Sequence, residues 1–297
     1  MSLVVRFSPD LGAWLTQGLD RGSPPGALVD TMVEQRMDRA VARAIVDAFV
    51  AARRANTPAP VDSITMDEAT AEYVYEQPIL RAGTRIETSD RVVRVAARAD
   101  KPVLAVLRDV LDADECAALI ERARPRLVAS TIVDPATGRD VVTPHRTSRG
   151  MFFRLEEDAL IARLDRRISE IMNLPVENGE GFQVLHYPTG AVNTPHFDFL
   201  QPTSPANQAS IARSGQRVST LIAYLNEVED GGETVFPEAG WSVSPHPGSA
   251  VYFEYCNRFG QVDSRTVHAG NAVGRGEKWV LTKWMRQRRF ISAEHIP

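Results

Sequence analysis

The chain has little of what would make it a small secreted, fibrous or membrane-spanning protein. Only two of its 297 residues are cysteine, Cys116 and Cys256. Two cysteines build neither a disulfide framework nor a cysteine-rich zinc site. The longest unbroken apolar run is five residues, far short of the twenty or so that cross a bilayer. The N-terminus, MSLVVRFSPD, lacks a basic start followed by a long apolar core, so no secretory signal is read there. Charge of neither sign dominates: 34 Lys and Arg stand against 38 Asp and Glu, a formal net of −4. That excludes the basic footprint of a general nucleic-acid or anionic-membrane binder. What remains is ordinary globular composition, 43% hydrophobic and 24% charged. A cytoplasmic location is the expectation, with two cysteines compatible with a reducing compartment.

The chain divides by texture into residues 1–90, a helical region of unassigned role, and residues 91–297. In the first part, Leu28, Met32, Val33, Met37, Val41, Ile45, Ala48 and Phe49 recur at spacings of three and four. This predicts one amphipathic helix from Pro24 to Arg54, capped by Ser23. Thr57-Pro58-Ala59-Pro60 breaks the chain, and a weaker helix is expected from Met66 to Tyr75. Such a region buries little alone, so it is expected to cover the following domain or to join two copies in a homodimer.

From Arg91 onward, strands are expected at 91–95 and 103–107, and helices at 112–124 and 159–172. Short strands follow at 182–187, 196–200, 218–225, 248–253 and 278–284. Few helices interrupt this series, which favours an antiparallel sandwich or barrel. The polar stretch 201–217 is expected to be a mobile loop.

The chemistry concentrates in Thr194-Pro195-His196-Phe197-Asp198. On a strand, residues two apart share a face, so His196 and Asp198 would present an imidazole and a carboxylate together. His268, in Thr266-Val267-His268-Ala269-Gly270, is a third candidate ligand. Two imidazoles and one carboxylate leave open positions that suit ferrous iron and dioxygen. Lys278 opens a strand and would need an anionic partner if buried; a dicarboxylate would supply it. Thr220 and Tyr187 add a hydroxyl and a phenol, completing a plausible 2-oxoglutarate pocket. Singly, each has a plainer reading. His-x-Asp occurs by chance, His268 fits a structural histidine, and Lys278, Thr220 and Tyr187 are acceptable strand residues. His145, His186, His246 and His295 carry no motif, and His186 should face away from Tyr187.

The joint pattern resembles the prolyl 4-hydroxylase family of iron(II)- and 2-oxoglutarate-dependent dioxygenases, in particular the plant and algal catalytic domain. The resemblance runs from Val110 to about Phe290. It is carried by Arg146-Thr147-Ser148-Arg149-Gly150-Met151-Phe152, Pro175-Val176-Glu177-Asn178-Gly179-Glu180-Gly181, Gln183-Val184-Leu185-His186-Tyr187, Gly231-Gly232-Glu233-Thr234-Val235-Phe236-Pro237, and Lys278-Trp279 with Thr282-Lys283-Trp284. It implies an α+β fold with a mainly β core, a double-stranded β-helix (jelly roll) flanked by helices, with an N-terminal helical extension. It implies His196, Asp198 and His268 as iron ligands and Lys278, Thr220 and Tyr187 around 2-oxoglutarate. It also implies dioxygen as co-substrate, ascorbate as reductant, and release of succinate and carbon dioxide. A peptidyl proline hydroxylated at C4 is the leading substrate, a free amino acid or small metabolite the second; a non-catalytic jelly-roll binding module is the rival of another class. Asn193 departs from the aromatic residue the family often carries three positions before the first histidine. The segment after the Gly-Gly-Glu-Thr-Val-Phe-Pro motif is short. The resemblance does not extend to residues 1–90.

Overall fold

The computed structural model describes residues 2–35, 37–54, 57–67, 73–130, 132–133, 140–141 and 147–291. His145, His295 and Arg146 lie outside them. The chain forms two compact units, Met1–Val74 and Tyr75–Pro297. The boundary falls earlier than residue 90 because the intervening segment is bonded into the second unit. The N–H groups of Ile79 and Leu80 donate to the Glu254 carboxylate at 3.0 and 2.9 Å, and Arg85–Glu87 pairs with the next strand.

The first unit runs β1 (Ser2–Arg6), α1 (Pro9–Asp20), α2 (Pro25–Glu34), α3 (Arg39–Arg54) and β2 (Ser63–Asp67), with β1 and β2 antiparallel. Leu15, Leu28, Val29, Met32, Ala42, Ile45, Val46, Phe49 and Ile64 form its own core. The single helix expected over 24–54 is two helices. The chain leaves α2 at Gln35, and Asp38 restarts it by accepting the Val41 N–H, a capping signal that the apolar spacing conceals. Ser23 does not cap α2; its N–H closes α1 by donating to Gly18 O. The helix expected over 66–75 begins instead inside β2, residues 68–72 lie outside the described residues, and 73–75 are irregular.

The second unit continues with β3 (Arg85–Glu87), β4 (Val92–Asp100), β5 (Val103–Arg108), α4 (Ala113–Ala123), β6 (Val128–Ala129), β7 (Ile132–Val133), β8 (Asp140–Val141), β9 (Arg149–Phe152) and α5 (Ala159–Met172). It then runs β10 (Gln183–Tyr187), β11 (Asn193–His196), α6 (Pro205–Ser214), β12 (Arg217–Tyr224), β13 (Asp230–Gly231), β14 (Thr234–Phe236), β15 (Trp241–Val243), β16 (Ala250–Glu254), β17 (His268–Gly270), β18 (Val273–Arg275) and β19 (Lys278–Arg286). A nine-stranded sheet, ordered β3-β4-β5-β16-β12-β19-β10-β9-β6, faces a four-stranded one, β11-β17-β14-β15. This is the expected jelly roll with flanking helices.

Helix α4 starts where the sequence said, for a local reason. Asp112 accepts the Glu115 N–H and Glu115 accepts the Asp112 N–H, a reciprocal cap. α4 and α5 give Cys116, Leu119, Ile161, Leu164, Ile168 and Met172 to the same core as the central strands. β12 and β19 are therefore covered on both faces, and all nine residues of β19 are buried.

Two local expectations fail here. The stretch 201–217 is not all loop: Ser204 accepts the Asn207 N–H, Pro205 opens the first turn, and α6 follows. The strand expected over 196–200 lies earlier, at 193–196, so Asp198 sits beyond its end. Sharing a strand face therefore does not explain why His196 and Asp198 converge.

Candidate active site

A cavity of about 690 Å³ opens between the two sheets. Tyr187, Lys278, Val280, Thr282 and Trp284 of the large sheet line it from one side, and Asn193, His196, Thr234 and His268 of the small sheet from the other. Asp198 lines it from the bend after β11.

β11 and β17 pair antiparallel with His196 opposite His268, which sets the two rings 4.3 Å apart. The chain then turns so that the Asp198 carboxylate meets both. His196 Nε2 lies 3.8 Å from Asp198 Oδ1, and His268 Nε2 lies 3.6 Å from Asp198 Oδ2. One ligand atom from each residue falls within 4.8 Å of the others. Both histidines use Nδ1 elsewhere: His196 Nδ1 is 2.9 Å from Thr194 O and His268 Nδ1 is 3.1 Å from Thr266 O. A carbonyl accepts only, so Nδ1 carries the proton and Nε2 keeps its lone pair. The Phe253 and Phe236 rings close on His268 at 4.7 and 5.6 Å. Burial pushes the His268 imidazolium down to about 4, leaving the ring neutral near pH 7. Burial works against ionisation of Asp198. The neighbouring imidazoles, Arg217 and the Thr220 hydroxyl outweigh it and hold the carboxyl below its usual range. Two imidazoles with Nε2 turned inward and one carboxylate form a donor set that fits a ferrous ion.

Thr220 is fully buried on β12, on the strand face it shares with Ile222, which lines the cavity. Its Oγ1 donates to Asp198 Oδ2 at 2.8 Å and lies 2.9 Å from the Tyr255 hydroxyl. These contacts orient the carboxylate of a candidate ligand. Tyr187 does line the cavity, beside Lys278, and His186 turns away from it, as expected, to stack on Trp279 and meet Glu277.

Lys278 is 4% exposed. Its Nζ sits 5.6 Å from the ring centres of Tyr187 and Tyr224 and 3.5 Å from Thr234 Oγ1. No carboxylate among the described residues forms an ion pair with it. Burial pushes the ammonium down to about 8, and the Glu233 charge only partly offsets this. An ammonium so placed in a cavity wall could pair with an anion brought into that cavity.

The sequence reading missed the rim. Arg217 grips Glu180 with two bonds, Nε to Oε1 at 2.7 Å and Nη2 to Oε2 at 2.8 Å, and Nη1 donates to Asp198 O at 3.2 Å. Its guanidinium lies 4.1 Å from the Trp284 ring. Glu180 and Trp284 stood in motifs already singled out; Arg217 closed the stretch read as loop and gave no signal of its own.

Comparison with known proteins agrees with this geometry. A family model described as the 2OG-Fe(II) oxygenase superfamily matches residues 182–286. Prolyl 4-hydroxylase 1 of Arabidopsis thaliana is 41% identical over 202 residues, 63% of this chain and 70% of that protein. Probable prolyl 4-hydroxylase 10 of the same plant is 34% identical over 236 residues, 73% of this chain and 79% of that protein. Among solved structures, the viral collagen prolyl hydroxylase of Paramecium Bursaria Chlorella virus-1 superposes with a TM-score of 0.49 at 25% identity, covering 62% of this chain and 95% of that one. With the share of the Arabidopsis proteins that it matches, this chain belongs to the prolyl 4-hydroxylase family of 2-oxoglutarate- and Fe(II)-dependent dioxygenases.

Proposed function

We propose that this dioxygenase hydroxylates a prolyl residue of a peptide or protein at C4, with His196, Asp198 and His268 holding iron and Lys278 holding the far carboxylate of 2-oxoglutarate. One observation carries the reading: a His–Asp–His donor set and a buried ammonium with no ion-pair partner among the described residues line the same cavity. The prolyl substrate is drawn from the relatives, which are named for that activity.

Bound there, iron(II) supplies dioxygen activation coupled to decarboxylation of 2-oxoglutarate, and ascorbate serves as the reductant. The chain supplies geometry and exclusion of water. The carbonyls of Thr194 and Thr266 fix which ring nitrogen of each histidine faces the centre. Thr220 holds one oxygen of Asp198 and so sets the plane of the carboxylate. Lys278, wedged between Tyr187 and Tyr224, aligns the co-substrate from its distal end and neutralises the charge brought into a buried wall. Arg217 and Trp284, which line the same cavity, are left to face the substrate that is to be oxidised.

The test is incubation of the purified protein with iron(II), ascorbate, 2-oxoglutarate and proline-containing peptides, read by mass spectrometry. A gain of about 16 Da on proline, one oxygen atom inserted by the bound metal's chemistry, with matching succinate, is expected. Succinate formed with free amino acids but never with peptides would replace the peptidyl substrate by a small metabolite. No 2-oxoglutarate turnover with any substrate would favour the binding module.

A further inference from the structure

Strand β19 carries Lys278, Val280, Thr282, Trp284 and Arg286 on alternate positions, and alternate residues of a strand share a face. The first four line the cavity and Arg286 does not. It is 1% exposed, yet every guanidinium nitrogen has an acceptor. Nε donates to Gly215 O at 3.1 Å, and Nη1 to Glu180 Oε1 at 3.0 Å and to Ser210 Oγ at 3.2 Å. Nη2 donates to Ser210 O at 2.9 Å and to Gly215 O at 2.6 Å. Of these four acceptors, Gly215 O belongs to the residue that caps the C-terminal end of α6, where a helix leaves carbonyls unpaired and its dipole is negative, and the Ser210 carbonyl and hydroxyl lie about one turn earlier. The fourth is the carboxylate that grips Arg217.

Helix α6 fills the chain between Asp198 and Arg217, both at the site. Its return to β12 is fastened by the same end of β19. The Gln216 side chain accepts the Leu200 N–H at 2.6 Å and donates to Leu200 O at 2.8 Å, while Gln287 accepts the Gln216 N–H at 2.8 Å. Arg288 donates to Ile211 O and Ala212 O. Arg286 is the buried centre of this attachment. Lys278 stands at the other end of β19, eight residues and about 26 Å away at the usual strand rise.

We infer that Arg286 is a positioning residue: by clamping the end of α6 to Glu180 it fixes the Arg217–Trp284 pair on the cavity rim and so governs retention of the substrate to be hydroxylated, not of 2-oxoglutarate. The inference rests on the dioxygenase reading above. The plain alternative is a buried arginine that only stabilises the fold, which would perturb both ends of the cavity or neither.

The test compares the wild type with Arg286→Gln and the milder Ser210→Ala, using a poly(L-proline) peptide and, separately, 2-oxoglutarate titrated into the Mn²⁺-loaded protein. Arg286→Gln should raise the KM for the peptide at least tenfold while the Kd for 2-oxoglutarate stays within twofold. Ser210→Ala should move the peptide KM the same way by a smaller factor, and it decides alone if Arg286→Gln does not fold. A peptide KM within twofold of wild type in the folded variants overturns the inference, as does a parallel loss of peptide and 2-oxoglutarate binding. If the wild type leaves poly(L-proline) unmodified, the prolyl reading fails by itself and amide exchange decides on Arg286. Faster exchange over residues 205–217 with unaltered 2-oxoglutarate affinity supports positioning, and unaltered exchange overturns it.

Discussion

Replacing Lys278 by methionine removes the cavity's cation at nearly constant length. Two effects follow, of opposite sign. The wild-type ammonium is 4% exposed and burial carries it from its ordinary 10.5 to about 8. A lysine shifted down weakens the fold wherever it is charged in both states, that is below pH 8, and the penalty fades as pH rises through 8 to 10.5. At about 1.4 kcal/mol per pKa unit the burden is on the order of 3 kcal/mol. Lys278→Met should therefore raise the melting temperature of the ligand-free protein at pH 7. Its affinity for 2-oxoglutarate should fall, because a hydrogen bond to a charged group contributes about 1.5–3 kcal/mol, or roughly 10- to 150-fold. The same ammonium gives the wild type a pH signature. Binding a dianion favours the protonated lysine, so the Kd should be flat below pH 8 and rise by about tenfold per unit above it. Calorimetric titration of 2-oxoglutarate into the Mn²⁺-loaded proteins between pH 7 and 9.5 reads both effects. A variant that binds as tightly as wild type, or a wild-type Kd independent of pH over that range, would refute the anchoring role.

His268→Ala should abolish 2-oxoglutarate turnover and lower Mn²⁺ affinity, measured by electron paramagnetic resonance; near-normal turnover would remove it from the ligand set. Thr220→Val keeps shape but frees Asp198 Oδ2, and losing such an outer partner should weaken metal binding by about 10- to 100-fold, whereas a lost co-substrate contact would change the 2-oxoglutarate Kd instead. Arg167, 2% exposed, bonds Glu115, Asp90 and the Val110 carbonyl. Arg167→Met leaves Glu115 buried without that partner and should cost about 3–5 kcal/mol in urea unfolding. Burial opposes the shift of Glu115, but Arg167 holds both it and Asp90 below the usual carboxylate range. Their wild-type contribution is thus complete above about pH 4.5 and is lost as pH falls, and the variant should show a shallower acid limb. Gly181→Ala would bring a Cβ within 2.2 Å of the Phe153 carbonyl, backbone that cannot yield, so a loss of stability is expected by thermal melting; an unchanged melting temperature would contradict the packing described.

The sequence alone determined what depends on local chemistry. Helix α5 appears at 159–172 as its spacing requires, and the Asp112–Glu115 reciprocal cap begins α4. The candidate ligands were legible jointly, through the ordered motifs in which His196, Asp198, His268 and Lys278 stand, since His-x-Asp alone occurs by chance. Tertiary structure decided the rest. His196 and Asp198 meet through a bend beyond β11 and a β11–β17 register that sets His196 opposite His268, and no periodicity encodes a register between strands 70 residues apart. Thr220 shares a face of β12 with Ile222, which lines the cavity, and its hydroxyl is taken up by Asp198; β12 is buried on both sides, so strand alternation could not say which side held the ligand. Lys278 is a buried cation only because the two sheets close over it. Along the chain Lys278 taken singly also fitted a solvated strand lysine; desolvation, a property of the closed fold, is what lowers its pKa.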